Sequence, residues 1–218
     1  MGISLKITAL AMKPLAQGAC RIMGLAAAEA GVSAVTDFLS HRFSDHSQNL
    51  HRALEKSHDR AWKCVEMSLA GDSWWQSVRS RLQPAEERAL QQQIVQFLKQ
   101  TEPDAVQRES IRKQALTELK SARKDGLLKY QQADAKSMAQ QTADFARFDS
   151  PTAILEADRV DVDEVAADLR RGGYESLAAW ILPENGPPLL AIAVRYFFRR
   201  AVEEDPQLFQ GLAFAKLR

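Results

Sequence analysis

What most constrains this chain is a recurring pattern: apolar residues three or four positions apart, bracketed by residues that start and stop helices. Leu50, Leu54, Ala61, Val65 and Leu69 form such a stripe, with Ser44 placed to cap its start and Gly71 to end it in a left-handed turn. Asp72 or Ser73 opens a short helix carrying Trp74, Trp75 and Val78. Pro84 opens another, with Glu86 and Glu87 where the helix dipole favours negative charge and Leu90, Ile94, Phe97 and Leu98 as its core face. Ile111, Ala115, Leu119 and Ala122 mark a helix over 104–124, with Gly126 beyond its end. A polar helix over 132–148 follows, and its Ala- and Gln-rich composition predicts weak burial. Ser150-Pro151 starts a short helix. Asp161 to Arg171 reads as a separate one, acidic at its start, basic at its end and stopped by Gly172-Gly173. Tyr174, Leu177, Ala178 and Ile181 mark one more. No run alternates with period two, so the fold is read as all-α, a multi-helix bundle.

The loop Asn185-Gly186-Pro187-Pro188 introduces the most apolar helix of the chain. Leu189 to Val194 is apolar all round, which predicts a central helix packed on several sides, with Leu190, Val194, Phe197 and Ala201 on one face. Asp205-Pro206 caps a last helix that is still running at Arg218, as expected of a module from a longer protein. A chain of 218 residues can bury a real core. It does so as one helical domain, or as two subdomains (1–126 and 150–218) joined by the polar helix around 130–148.

The stretch CRIMGLAAAEAGVSAVTDFL, Cys20 to Leu39, asks whether the N-terminal region belongs in a membrane. A spanning helix needs about 20 apolar residues with few charges, and Lys6, Lys13, Arg21, Glu29 and Asp37 leave no such run. Lys13 and Pro14 also interrupt what would be the apolar centre of a signal peptide. Gly24 and Gly31 weaken a helix, so close backbone packing or a break between two helices is expected there. Ile22, Met23, Gly24, Leu25, Gly31, Val32 and Val35 are the candidate contact residues for a partner, or for conditional membrane contact.

Motifs for chemistry are sparse. His41, His46, His51 and His58 fall close together, but His51 and His58 sit about 10 Å apart along a helix, too far to share an ion, and exposed histidines pairing with Asp45 and Asp59 are expected. Asp161, Asp163 and Glu164 could gather a divalent ion, although acids in a first helical turn already have a reason in the dipole. Ser121-Ala-Arg-Lys124 matches a bare S-x-x-K pattern without companion motifs and reads as chance. Two cysteines, Cys20 and Cys64, cannot supply a zinc site and suit buried thiols in a reducing cytoplasm. Seven cations (Arg108, Arg112, Lys113, Lys120, Arg123, Lys124, Lys129) are interleaved with Glu102, Asp104, Glu109, Glu118 and Asp125, and the net charge is +1. A solvated face, not a nucleic-acid groove, follows. Trp62, Trp74, Trp75 and Trp180 read as core anchors. Arg195 and Arg199 are expected to pair with Glu203 and neighbouring helices. No metal, cofactor or catalytic residue is assigned.

Two blocks, AVTDFLSHRFSDHSQNLHRALEKSHDRAWKCVEMSLAGDS and GPPLLAIAVRYFFRRAVEEDPQLFQGLAFAKL, with FARFDSPTAILEAD between them, resemble an uncharacterised helical module of large bacterial multidomain proteins. In such proteins it precedes helical repeats and a serine/threonine kinase or another effector domain. The resemblance spans nearly the whole chain and implies a regulatory module; no kinase motif is present, so it implies no kinase activity. The region Met1 to Leu39 also resembles, in position and character, the first helix of HeLo and Bell-type bundles, which implies a membrane-perturbing role. The expectation is therefore a cytoplasmic, non-enzymatic signalling module that binds itself or a protein partner, with a homo-oligomer as one form. The alternative is a cell-death-type membrane effector.

Overall fold

The computed structural model describes residues 2–22, 32–70, 109–143, 151–182 and 188–208. Eight helices order these residues: α1 (Ile3–Ile22), α2 (Val32–Asp45), α3 (Ser47–Ala70), α4 (Glu109–Lys124), α5 (Ala135–Ala143), α6 (Pro151–Arg171), α7 (Glu175–Ile181) and α8 (Leu189–Glu204). Among the described residues there is no strand, and the chain is an all-α bundle. The expected helices of 71–103, with Trp74, Trp75 and the Leu90 face, lie outside the described residues, as does Gly71.

The apolar helix near the C-terminus is central, as its pattern requires. α8 packs most extensively on α3 and also touches α1 and α6. Leu190, Val194, Phe197 and Ala201 are buried, and so are Leu189, Ala191, Ala193, Phe198 and Val202. Asp205 then accepts the N–H groups of Gln207 and Leu208, both at 3.0 Å, so it caps the turn that begins at Pro206.

α1 is the second hub. It packs on α2, α3, α5, α6 and α8. Ile3, Ile7, Leu10, Ala11, Met12 and Leu15 are buried, and the helix runs on through Pro14. Proline gives Leu10 no N–H to accept and costs about 3 kcal/mol inside a helix, so the packing around α1 must offset that loss.

Two glycines expected at helix ends do end helices, and both adopt the left-handed conformation. Gly126 has φ 76° and Gly173 has φ 83°. At each end the next residue reaches back five positions: Leu127 N–H donates to the Ala122 carbonyl at 3.0 Å, and Tyr174 N–H to the Leu169 carbonyl at 2.9 Å. These are Schellman closures, which satisfy carbonyls the helix would leave open.

Three expectations are corrected. Ser44 is no cap: α2 runs past it, and its hydroxyl donates back to the Ser40 carbonyl at 2.8 Å, while α3 starts at Ser47. The helices read separately at Ser150 and Asp161 are one 21-residue helix, α6, so Asp161, Asp163 and Glu164 stand mid-helix and not in a first turn. The polar helix is not weakly buried. Asp134 caps α5 by accepting the Ser137 N–H at 2.9 Å, and Met138, Ala139, Thr142 and Ala143 are buried against α2 and α1. Small side chains let α5 approach closely, an effect composition alone conceals. Helices from before 126 pack on helices from after 150: α3 on α8, α4 on α7, α1 on α6. The two stretches flanking α5 thus interlock.

Candidate functional site

The densest polar constellation of the described core lies where α1, α6 and α8 meet. α1 and α6 run antiparallel, and α1 offers two lysines seven positions apart, Lys6 and Lys13. Asp158, Asp161, Glu164 and Asp168 follow one another at three- and four-residue spacing, so they line one face of α6. Lys13 Nζ lies 3.1 Å from Asp158 and 2.6 Å from Asp161. Lys6 Nζ lies 3.0 Å from Asp168 and 3.5 Å from Glu164, and it donates to the Glu164 carbonyl at 3.1 Å. From α8, Arg195 reaches the second oxygen of Asp158 at 2.5 Å. The Asp158 side chain is 0% exposed and that of Lys13 3%, so each ion would be expensive to bury alone.

The acidic run once read as an ion site or as dipole compensation is thus a receptor for the α1 lysines. Asp163 turns outward, 3.7 Å from Arg170, and the Glu164 side chain is itself more than half exposed beside Lys6. Among the described residues no group of His, Cys, Asp and Glu is placed to hold a metal ion.

Burial pushes the Asp161 carboxyl above the usual range, and the Lys13 ammonium offsets part of that rise. A carboxyl with a raised folded-state pKa costs the fold stability when ionised, and that cost is relieved as pH falls towards the ordinary carboxylate value of about 4. Asp161→Asn should therefore lose little at pH 7, because Asp158 still holds Lys13. Wild type should gain on the variant as pH is lowered towards that value. Urea unfolding at several pH values checks this; parallel stability curves would contradict it.

A second polar set closes α7 onto α3 and α4. Glu118 accepts the Leu177 N–H at 2.8 Å and so caps α7 from another helix. Trp180 Nε1 donates to the Ser68 hydroxyl at 3.0 Å, and the Tyr174 hydroxyl to Asp125 at 2.5 Å. Glu66 is contacted by Lys63 and Arg123, both at 3.1 Å. Burial raises its pKa, but the two cations overcome this and hold the carboxyl below its ordinary value.

The histidines divide. His41 is exposed and pairs with Asp45 at 3.0 Å, as expected. His58 is buried, contrary to expectation, with its ring edge-on to Trp62 and Tyr130, although it does lie 3.5 Å from Asp59, the neighbour expected for it. His51 Nδ1 meets the Tyr130 hydroxyl at 2.9 Å, and desolvation lowers its pKa. Neither the His51–Tyr130 bond nor the role of Tyr130 carried any sequence signal, since the pair is 79 positions apart.

The predicted contact residues are not assembled into one site. Val35 is 0% exposed, part of the core, so it is no open contact in this state. Met23, Gly24, Leu25 and Gly31 lie outside the described residues, as do the side chains of Ile22 and Val32. Cys64 is buried, and desolvation pushes its thiol well up, which makes it inert. Ser121 and Lys124 are exposed at the end of α4, with no catalytic surroundings among the described residues. Arg199 pairs with Glu203 at 2.9 Å, as expected. No helix among the described residues is long and apolar enough to cross a membrane.

Comparison of the chain with known proteins finds no matching family model, no similar curated protein and no similar solved structure.

Proposed function

We propose that this chain is a non-enzymatic, cytoplasmic regulatory module that works by protein contact, with itself or a partner, within a larger bacterial signalling protein. The observation that carries the reading is where the ionisable groups go. Lys6, Lys13, Asp158, Asp161, Asp168 and Arg195 hold helices together at their crossings, whereas catalytic groups converge on a cleft that substrate can enter. Such an arrangement fixes the bundle's shape and leaves its outer faces to do the work. Size exclusion with light scattering over a wide concentration range tests the self-association form, expected as a mass that rises with concentration. A turnover activity of the pure chain that Asp158→Asn abolishes without unfolding it would overturn the reading.

The second reading, a membrane-perturbing effector, draws on the charge of α1. Lys6, Lys13 and Arg21 are its only charged residues, so once detached it would be a cationic amphipathic helix. Ile3, Ile7, Leu10, Ala11, Met12 and Leu15 are buried in the resting bundle, and freeing them is costly. Dye release from anionic liposomes separates the readings: leakage caused by the folded chain favours the effector, and intact vesicles favour the regulatory module.

A further inference from the structure

Between α4 and α5 the chain runs from 125 to 134 without a helix, yet it is fixed to helices far away in sequence. The Tyr130 hydroxyl meets His51 Nδ1 of α3 at 2.9 Å, and the Tyr130 ring stands edge-on to His58 with ring centres 5.9 Å apart. One residue on, the Ser4 hydroxyl of α1 accepts the Gln131 N–H at 2.7 Å and donates to the Gln131 carbonyl at 3.2 Å. Two consecutive residues of this connector thus tie the first turn of α1 to α3, and one of them rests on imidazoles. Burial lowers the His51 pKa, so the folded chain prefers the neutral ring. Burial also raises the Tyr130 pKa, so its hydroxyl keeps its proton. With that hydroxyl as donor, neutral His51 accepts at Nδ1, whereas a charged imidazole carries N–H at both nitrogens and accepts nothing. Around this contact, Glu55 of α3 acts on Tyr130, Asp59 lies 3.5 Å from His58, and Arg52, Lys56 and Lys129 are exposed. His46, at the junction of α2 and α3, gives its carbonyl to the Leu50 N–H. Other elements packed on α3 bring charge at other points: Glu204 of α8 faces Arg60, Arg123 of α4 faces Glu66, and Lys6 of α1 is held by Asp168 of α6.

We infer that this connector is an acid-opened clasp: a proton on His51 draws its ring off Tyr130, and the first turn of α1 loosens with the connector through Ser4. The inference goes beyond the regulatory-module reading and does not depend on it. Its sign follows from linkage. An unfolded histidine takes up its proton near pH 6.5, about the ordinary value, and the packed His51 only below that, so the contact weakens as pH falls through it. Asp161 acts with the opposite sign, because burial raises its pKa and protonation relieves a cost of the fold. Loosening on acidification therefore separates His51 from the α1–α6 carboxylates.

Hydrogen exchange of the full chain, read by mass spectrometry at about pH 7.5 and about pH 5.5 and scaled for the intrinsic rate, tests this. Segments 2–8 and 127–134 should lose protection severalfold at the lower pH, while α8 keeps its own. His51→Gln should leave both segments equally protected at the two pH values. Ser4→Ala should confine the pH response to 127–134. Tyr130→Phe should show at the higher pH the protection that wild type shows at the lower. Unchanged protection in wild type, a pH response that persists in His51→Gln, or a parallel loss across α8 would overturn the inference. The wild-type comparison needs no variant, so it decides against the clasp even where a substitution fails to fold.

Discussion

A chain lacking residues 1–39 should fail to fold cooperatively. The deletion removes Ile7, Leu10, Met12 and Leu15 from α1, and Val35 and Leu39 from α2, all within 1% of complete burial. Burying an aliphatic side chain of that size contributes about 1.5–3 kcal/mol, so six account for roughly 9–18 kcal/mol. A whole domain is stable by only about 5–15 kcal/mol. The same cut takes Lys6 and Lys13 from the acids of α6 and leaves Asp158 buried beside Arg195 alone. The expected product has no sharp thermal transition and aggregates on size exclusion. A truncated chain that melts cooperatively within a few degrees of the full chain would show that α1 is dispensable. That result would also restore the membrane effector, because it would make release of the first helix cheap.

The helices were legible in sequence wherever their signals are local. Gly126 and Gly173 act at the backbone of their own turns, Asp205 caps the residues just after it, and the Leu190–Val194–Phe197–Ala201 face repeats at helical spacing. Each is a relation within a few positions of chain. The errors at Asp161 and in α5 have the opposite property, whereas at Ser44 two local signals compete. Ser44 has the chemistry of a cap, but the preceding segment is helical and its hydroxyl finds the Ser40 carbonyl first. Asp161 and Glu164 have the chemistry of a helix start, and only their long-range partners on α1 show that they sit mid-helix. α5 looks peripheral by hydropathy, yet Ala139 and Ala143 are buried because small side chains admit neighbouring helices.

The candidate site was hidden for the same reason. Lys13 and Asp158 are 145 positions apart, and each alone reads as a surface charge. The notion that Lys13 spoils an apolar helix is right for a membrane or a signal peptide. It fails for a bundle that supplies two carboxylates to the same ammonium. On α4 the interleaved charges were read as a solvated face, and Lys113, Lys120, Arg123 and Lys124 are exposed there.

Asp158→Ala should cost about 3–5 kcal/mol, the range seen when one partner of a buried ion pair is removed. The Asp158 side chain is fully buried and contacts both Lys13 and Arg195, at 3.1 and 2.5 Å. Without it, Lys13 keeps Asp161 while Arg195 loses a bond that joins α8 to α6. Among the described residues, Lys13 and Arg195 then have only the Asp161 carboxylate between them. Asp158→Asn should cost less, since the amide oxygen still accepts a hydrogen bond while the charge is gone. Pairing Asp158→Leu with Lys13→Met should recover part of the loss, because it removes an ion from each side and fills the space. Chemical denaturation of Asp158→Ala, Asp158→Asn, the double variant and its two single components, Asp158→Leu and Lys13→Met, measures the coupling. A cost within about 1 kcal/mol for Asp158→Ala would place the network among surface-like pairs. If the double variant is instead as unstable as the two single losses added together, then packing at position 158, not charge, is what joins α1, α6 and α8.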